Sequence, residues 1–386
     1  MTPGRHFSKP RVASTLASLL ATERPLATLD LCSGDGALTD VLPGLRVASV
    51  DLDPRARASG TEHHVADALD PGLASMLRTP GGFDLVACNP PYGSIPDTTR
   101  ARSISGEAGM PHPGRPATFV DSAWTFCARA VALARPGGTV VLVVPDGLAT
   151  GLLSRPFRDA LTRRHRLRHA VSLPERSFVG TDARAVLLIL SKDTSPAPSV
   201  AMASLSPDGR LSDTLHVPVQ AATNRLDHAY HAVMSGIAGP TLESLGARVA
   251  RGRLPPGARD GCAFGTGSFP DGHRRSAHVL TQDALSHGMP FVAVTGDILV
   301  ARVDRHLHRK VCLVSSGSAA PTDQVLRIRL PPDHVAAVAR ALISPEGEDR
   351  LRATSRGTGA RTLSTVELMR MPLPLRMPPS PRADPA

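Results

Sequence analysis

The chain has 386 residues, enough for two domains that each bury a core. Lys and Arg number 44 against 34 Asp and Glu, a formal net charge of +10 with a pI near 10.3, which suits a polyanionic partner and excludes an acidic solvating segment. Lys is almost absent, so an Arg-rich coding bias contributes and the charge is supporting evidence only. No run approaches the ~20 apolar residues needed to cross a bilayer, and Met1 to Arg5 opens without an apolar signal core. The five cysteines stand singly at 32, 88, 127, 262 and 312, which fits a reducing cytoplasm better than a disulfide framework or a zinc site.

In chain order, 27–32 reads as a buried strand, followed by a Gly-rich turn and a helix beginning near Ala37. Residues 45–51 are a second strand, 65–69 a short third and 83–88 another, which runs into Asn89-Pro90-Pro91-Tyr92. The stretch 94–117 is irregular and rich in Gly, Pro and Arg. A helix over 118–135 stops at Pro136-Gly137-Gly138 and feeds a strand over 139–144; 185–190 is the last strand of this half. Continuously apolar strands joined by helices predict an α/β fold with a parallel, doubly wound, Rossmann-like sheet. On this reading 1–192 is one domain, 193–199 a linker and 200–376 a smaller α+β domain, with a disordered, Pro-rich tail at 377–386.

Leu29-Asp30-Leu31-Cys32-Ser33-Gly34-Asp35-Gly36 sets two glycines where a strand turns, which lets the backbone take positive φ and approach a ligand closely. Such a turn serves NAD, other nucleotides or S-adenosylmethionine. Asp51 closes the next strand roughly 20 residues on, where a carboxylate can accept from two ribose hydroxyls. Asp53, further into the turn, reads as a helix N-cap. Asp67 ends the short third strand and could accept from an adenine amino group or cap a helix. Three acids at successive strand ends favour one shared ligand. NAD is the weaker choice, because nothing downstream supplies a hydride-acceptor site.

Asn89-Pro90-Pro91-Tyr92 is the most specific stretch in the chain. An exocyclic amine of a nucleobase is a poor nucleophile, since its lone pair is delocalised into the ring. The Asn89 side-chain oxygen and the Pro90 carbonyl can each accept one amine proton, favouring pyramidal nitrogen and in-line attack on a sulfonium methyl. Pro90 and Pro91 fix the backbone and remove competing donors. Tyr92 offers a flat face to an extruded base. The reaction calls for no metal and no strong general base.

These residues resemble the amino-methylating DNA methyltransferases that carry the cofactor motif ahead of the catalytic one. The TaqI-like adenine methylases and type I modification subunits are the nearest in pattern, over residues 4–192. The resemblance implies the class I fold and S-adenosyl-L-methionine as cofactor, with Asp30, Gly34, Gly36, Asp51 and Asp67 at cofactor positions. It also implies a catalytic set of Asn89, Pro90, Pro91 and Tyr92. Phe7, Lys9 and Pro10 match the segment that helps hold the methionine part, with Lys9 standing where the family has Thr. Phe178 takes the place of an aromatic that stacks on the flipped base; read alone, a single Phe is more often core. The 94–117 stretch is then a candidate for ordering on DNA.

Residues 240–376 resemble half of a type I specificity subunit, through Leu242 to Pro255, Val294 to Arg302, Thr322 to Val325 and Leu363 to Pro374. That implies a target-recognition domain in which Arg248, Arg251, Arg253, Arg274, Arg275, Arg302, Arg305 and Arg309 meet bases or phosphates. His306-Leu307-His308 lacks further metal-ligand spacing and reads as a loop pair. The expected function is methylation of adenine N6 in a specific duplex sequence, with the base flipped, in a cytoplasmic restriction-modification or phage-defence system that can include a partner protein. Cytosine N4, an RNA base and a protein glutamine are the alternative acceptors; a non-catalytic DNA-specificity module is the alternative to an enzyme.

Overall fold

The computed structural model describes residues 10–56, 62–113, 119–178, 183–234, 239–258, 261–269, 275–289, 291–357 and 360–375, with the backbone alone over 275–282. They form two compact units, Met1–His231 and Ala232–Ala386.

In the first unit, α1 (Pro10–Leu19) precedes β1 (Ala27–Leu31), β2 (Arg46–Asp51), β3 (Glu62–Val65), α2 (Leu73–Met76) and β4 (Phe83–Cys88). Then come β5 (Ser94–Pro96), α3 (Thr99–Glu107), β6 (Phe119–Asp121), α4 (Ser122–Leu133) and β7 (Ala134–Pro145). The unit continues through α5 (Asp146–Thr150), α6 (Arg155–Arg163), β8 (Arg166–Ser172), β9 (Ala185–Ser191), β10 (Ser199–Ser204), β11 (Leu215–Pro218) and α7 (Val219–Asn224). Nine strands make one sheet in the order β11-β10-β8-β9-β7-β4-β1-β2-β3. Its centre is buried on both faces. Leu85 and Ala87 of β4 point into one core with Val12 and Leu16 of α1, while Val86 and Cys88 point into the other with Cys127 of α4 and Phe157 of α6. Helices on both faces of a largely apolar sheet are the doubly wound, Rossmann-like arrangement expected for the first half.

Several expectations need correction. The sheet is mixed: β9 runs antiparallel to β7 and β8, because 173–184 supplies no helical crossover among its described residues and the chain returns beside its neighbour. The helix expected near Ala37 is a turn and a three-residue 3-10 helix, Thr39–Val41, since Pro43-Gly44 ends the segment too soon for an α-helix. Residues 119–121 are a strand ahead of α4. The stretch 94–113 is folded as β5 and α3, with 114–118 outside the described residues. No interdomain linker stands at 193–199: β10 pairs with β8, and Arg158 donates to the carbonyls of Thr223 and Asn224, binding α7 to the first unit. The division falls after His231.

The second unit contains β12 (Arg248–Arg251), β13 (Ala263–Phe264), β14 (Arg275–Asp283), β15 (Ala293–Val294), β16 (Ile298–Ala301), β17 (Val303–Asp304), β18 (Val311–Pro321) and β19 (Val325–Arg329). Its main sheet runs β12-β19-β16-β18-β13, with β14 and β15 also on β18. Helices at Pro332–Ile343, Pro345–Thr354 and Thr365–Arg370 help complete a core around Ile298, Val300, Leu326, Ile328, Leu342 and Leu351. This is the smaller α+β body expected, from 232 rather than 200. The tail 377–386 lies outside the described residues.

Candidate active site

Two turns define the candidate site, and the sheet sets them side by side. β1 and β4 are parallel neighbours in which Leu31 pairs with Cys88, so Cys32–Gly36 and Asn89–Tyr92 leave adjacent strands at the same edge. In the first turn Gly34 has φ 58° and Gly36 φ 83°, where a side chain would be strained. Cys32 also takes φ 67°, an uncommon conformation for a non-glycine residue at a ligand turn. Its free thiol shares a hydrogen bond with that of Cys88, which together with burial holds the Cys32 thiol well above the usual range, while burial raises that of Cys88.

Asp51 ends β2 and ties the turn down. Its Oδ2 accepts from the Gly34 N–H at 2.9 Å and its Oδ1 from the Asp53 N–H at 2.8 Å. Each carboxylate oxygen keeps a second lone pair for a ligand hydroxyl. Asp53 caps a turn rather than a helix, its Oδ1 taking the Arg55 N–H at 3.0 Å. Asp30, 1% exposed, accepts from the Thr39 hydroxyl through Oδ2. Burial, with Asp51 and Asp35 nearby, pushes its carboxyl up to about 7 against the pull of Thr39. Asp30 Oδ1 and Ser33 Oγ are buried without a hydrogen-bond partner among the described residues. Orphaned polar atoms beside a left-handed glycine turn fit a polar ligand whose own groups would satisfy them.

In the second turn Pro90 is buried and Asn89, Pro91 and Tyr92 are half-buried. Sequence reasoning missed Ser122, the fully buried first residue of α4. Its hydroxyl donates to the Pro91 carbonyl at 2.7 Å and its N–H to the Gly93 carbonyl at 3.1 Å. The helix is itself capped by Asp121, which accepts from the Trp124 N–H at 3.0 Å. The readable signal was that capping acid just before an apolar helical run. Tyr92 meets Phe178 edge-on, with ring centroids 6.4 Å apart and planes at 82°. Phe178 is 1% exposed and packed in the α1-side core, so the structure pairs the two aromatics with Phe178 as the buried member.

Asp67 sits in the turn after β3 rather than at a strand end. Its Oδ1 accepts from the Leu69 N–H at 2.9 Å and its Oδ2 lies 3.5 Å from Nη1 of Arg100 on α3. Arg100 also donates to the Leu69 carbonyl, and Arg129 of α4 donates to those of Ala68 and Asp70. The segment after the Asn-Pro-Pro-Tyr turn therefore grips the Asp67 loop. It is ordered by its own network, in which the Asp97 carboxylate receives Arg102 at 3.0 Å and lies 3.1 Å from His112. Pro10 begins α1 and is exposed; Phe7 and Lys9 lie outside the described residues.

None of the curated proteins compared with the chain matches it. Solved structures share its fold. The type IIG restriction endonuclease BpuSI aligns over 95% of this chain and 58% of its own, with a TM-score of 0.50 and 10% identity. The type I restriction-modification methyltransferase subunit of Streptococcus thermophilus aligns over 58% of this chain and 52% of its own, with a TM-score of 0.43 and 16% identity. The EcoKI M protein aligns over 64% and 59%, with a TM-score of 0.38 and 15% identity. The chain thus spans 48% to 59% of the length of the type I modification subunits it matches. Residues 58–219 match the sequence model of the N-6 DNA Methylase family, a stretch that holds the Asn-Pro-Pro-Tyr turn and runs past 199 into α7, while the glycine turn lies before it. With Asn89-Pro90-Pro91-Tyr92 inside that stretch and a Rossmann-like sheet around it, residues 58–219 are similar to the N-6 DNA Methylase family.

Proposed function

We propose that the chain methylates the exocyclic N6 of an adenine flipped out of a specific duplex DNA sequence, using S-adenosyl-L-methionine, in a restriction-modification or phage-defence system. The observation that carries this reading is the Leu31–Cys88 register, which opens a glycine turn and an Asn-Pro-Pro-Tyr turn on one sheet edge. When bound, the cofactor supplies an electrophilic methyl group. The Asp51 carboxylate accepts from the ribose hydroxyls, and the orphaned oxygens of Asp30 and Ser33 are satisfied by the polar end of the ligand. Asp67 receives the cofactor's adenine amine on a loop braced by Arg100 and Arg129. Phe7, Lys9 and Pro10 close over the methionine part.

Asn89 and the Pro90 carbonyl each accept one proton of the target amine and hold its lone pair toward the methyl. Ser122 keeps the turn in that shape through the Pro91 carbonyl. Tyr92 stacks on the base, with Phe178 supporting Tyr92 from behind. The surplus proton leaves after transfer, when the methylated amine is acidic, so the turn needs no strong base. The second unit reads the sequence, and a partner protein of the defence system is accommodated by the fold family. The test is to express the gene in a host that lacks adenine methylation and sequence its modified bases. Full N6-methylation at one recurring motif is expected; an unmethylated genome would overturn the proposal.

A further inference from the structure

The excess positive charge is unevenly shared. Residues 232–386 hold 20 Lys and Arg against 13 Asp and Glu, whereas residues 1–231 hold 24 against 21. Within the second unit half of the described arginines already have acidic partners. Arg251 and Arg302 meet Asp323, Arg309 and Arg352 meet Glu348, and Arg356 meets Glu367. Of those the sequence singled out, Arg274 and the side chain of Arg275 lie outside the described residues. Arg248 and Arg253 differ from the rest: both are exposed, and their side chains have neither an ion pair nor a hydrogen bond among the described residues.

Their setting is ordered. In the antiparallel β12–β19 pair, Arg248 stands directly opposite Arg329, and Arg327 follows two residues along the same face, opposite Ala250. Like charges across a ladder oppose sheet formation. Asp297 offsets one of them, holding Arg329 by two bonds of 2.7 and 2.6 Å. Arg327 is anchored instead by the Val292 carbonyl at 2.6 Å, and its buried Nε has no partner. The guanidinium carbons of Arg327 and Arg253 lie 4.1 and 5.6 Å from the centroid of the half-buried Phe291 ring. An aromatic face orients a guanidinium without neutralising it. Arg253 and Arg327 are therefore oriented cations, and neither Arg248 nor Arg253 has an acidic partner among the described residues.

We infer that this β12–β19 face, with Arg253 and Arg327 against Phe291 and Arg248 on β12 beside them, grips the phosphate backbone of duplex DNA. The inference rests on the reading that the chain acts on DNA, and assigns the contact to named residues. Backbone contact is favoured over base readout because the Arg253 and Arg327 guanidiniums lie against a ring face and none of the three is forked onto a carboxylate among the described residues. It also explains why charge is left unpaired on a folded sheet: duplex phosphates provide the anions, and their counterions are released on binding.

The test uses the full chain and a labelled duplex, with anisotropy measured across a salt series. Arg248→Ala/Arg253→Ala should weaken binding at least about tenfold at 0.1 M salt and lower the slope of log affinity against log salt by about two. Arg248→Lys/Arg253→Lys should restore most of the slope. Arg340→Ala, an exposed arginine on the Pro332–Ile343 helix, should leave the slope unchanged. Thermal midpoints of all variants check folding. A double-alanine variant with unaltered slope and affinity would overturn this inference and leave the methylation reading standing. A wild-type chain that binds no duplex, or prefers an acidic polypeptide to it, would overturn both.

Discussion

Replacing Asp30 by Asn should change how stability depends on pH without disturbing the site's shape. Asn keeps the oxygen that accepts from the Thr39 hydroxyl but cannot ionise. In the folded chain the Asp30 carboxyl titrates near 7 instead of 3.8, mainly because burial disfavours its charge. Between those values the folded state holds a proton that the unfolded state has released. Wild-type stability therefore falls as pH rises from about 4 to 7, and levels off beyond. At 1.36 kcal/mol per unit, the span sets an upper bound of about 4 kcal/mol. The ligand-free variant should match the wild type near pH 4 and exceed it by up to about 4 kcal/mol at pH 8. Urea unfolding at unit intervals from pH 4 to 8 measures the difference directly. Parallel curves for the two proteins would refute a buried, proton-retaining carboxyl at the end of β1.

Ser122→Ala removes the hydroxyl that holds the Pro91 carbonyl; it should cost about 1 kcal/mol of stability and lower kcat while leaving cofactor affinity unchanged, read by unfolding and steady-state kinetics. Asp51→Ala removes the acceptor of the Gly34 and Asp53 N–H groups as well as the proposed ribose contact, so cofactor affinity by calorimetry should fall at least about tenfold. His165 is fully buried, its Nδ1 accepting from the Asp193 N–H at 3.1 Å, and burial lowers its ring to about 4. The unfolded ring takes up a proton first, so stability is lost as pH falls from 6.5 toward 4; His165→Asn, which can still accept from Asp193, should remove up to about 3 kcal/mol of that acid dependence.

Local signals reached the site because its parts are contiguous in sequence. The glycine turn, Asp51 and Asn89-Pro90-Pro91-Tyr92 each combine a strand end with residue types that admit few alternatives, and the sheet brings the two turns together. Strands 83–88 and 185–190 were legible since their apolar runs are bounded by Pro, Gly or charge. The reading failed where tertiary partners decide. Nothing local says that β9 runs antiparallel, because direction depends on the connection's path. The Pro-rich 193–199 reads as a linker, yet seven residues suffice to carry the chain to β10 on the same sheet. Ser122 was invisible for the same reason: its partner, the Pro91 carbonyl, lies 31 residues earlier. In the second unit composition showed the positive excess, while only the ion pairs separate the neutralised arginines from Arg248 and Arg253.

The central claim is that the Asn89 turn delivers a methyl group to adenine N6 in DNA. The direct measurement supplies purified chain with S-adenosylmethionine carrying a tritiated methyl and duplex DNA, followed by nucleoside analysis. Label should appear in N6-methyl-2′-deoxyadenosine from the wild type and be absent from Asn89→Ala, whose cofactor affinity stays near normal. Label in N4-methylcytosine, in RNA or in protein, or undiminished transfer by the variant, would contradict the account.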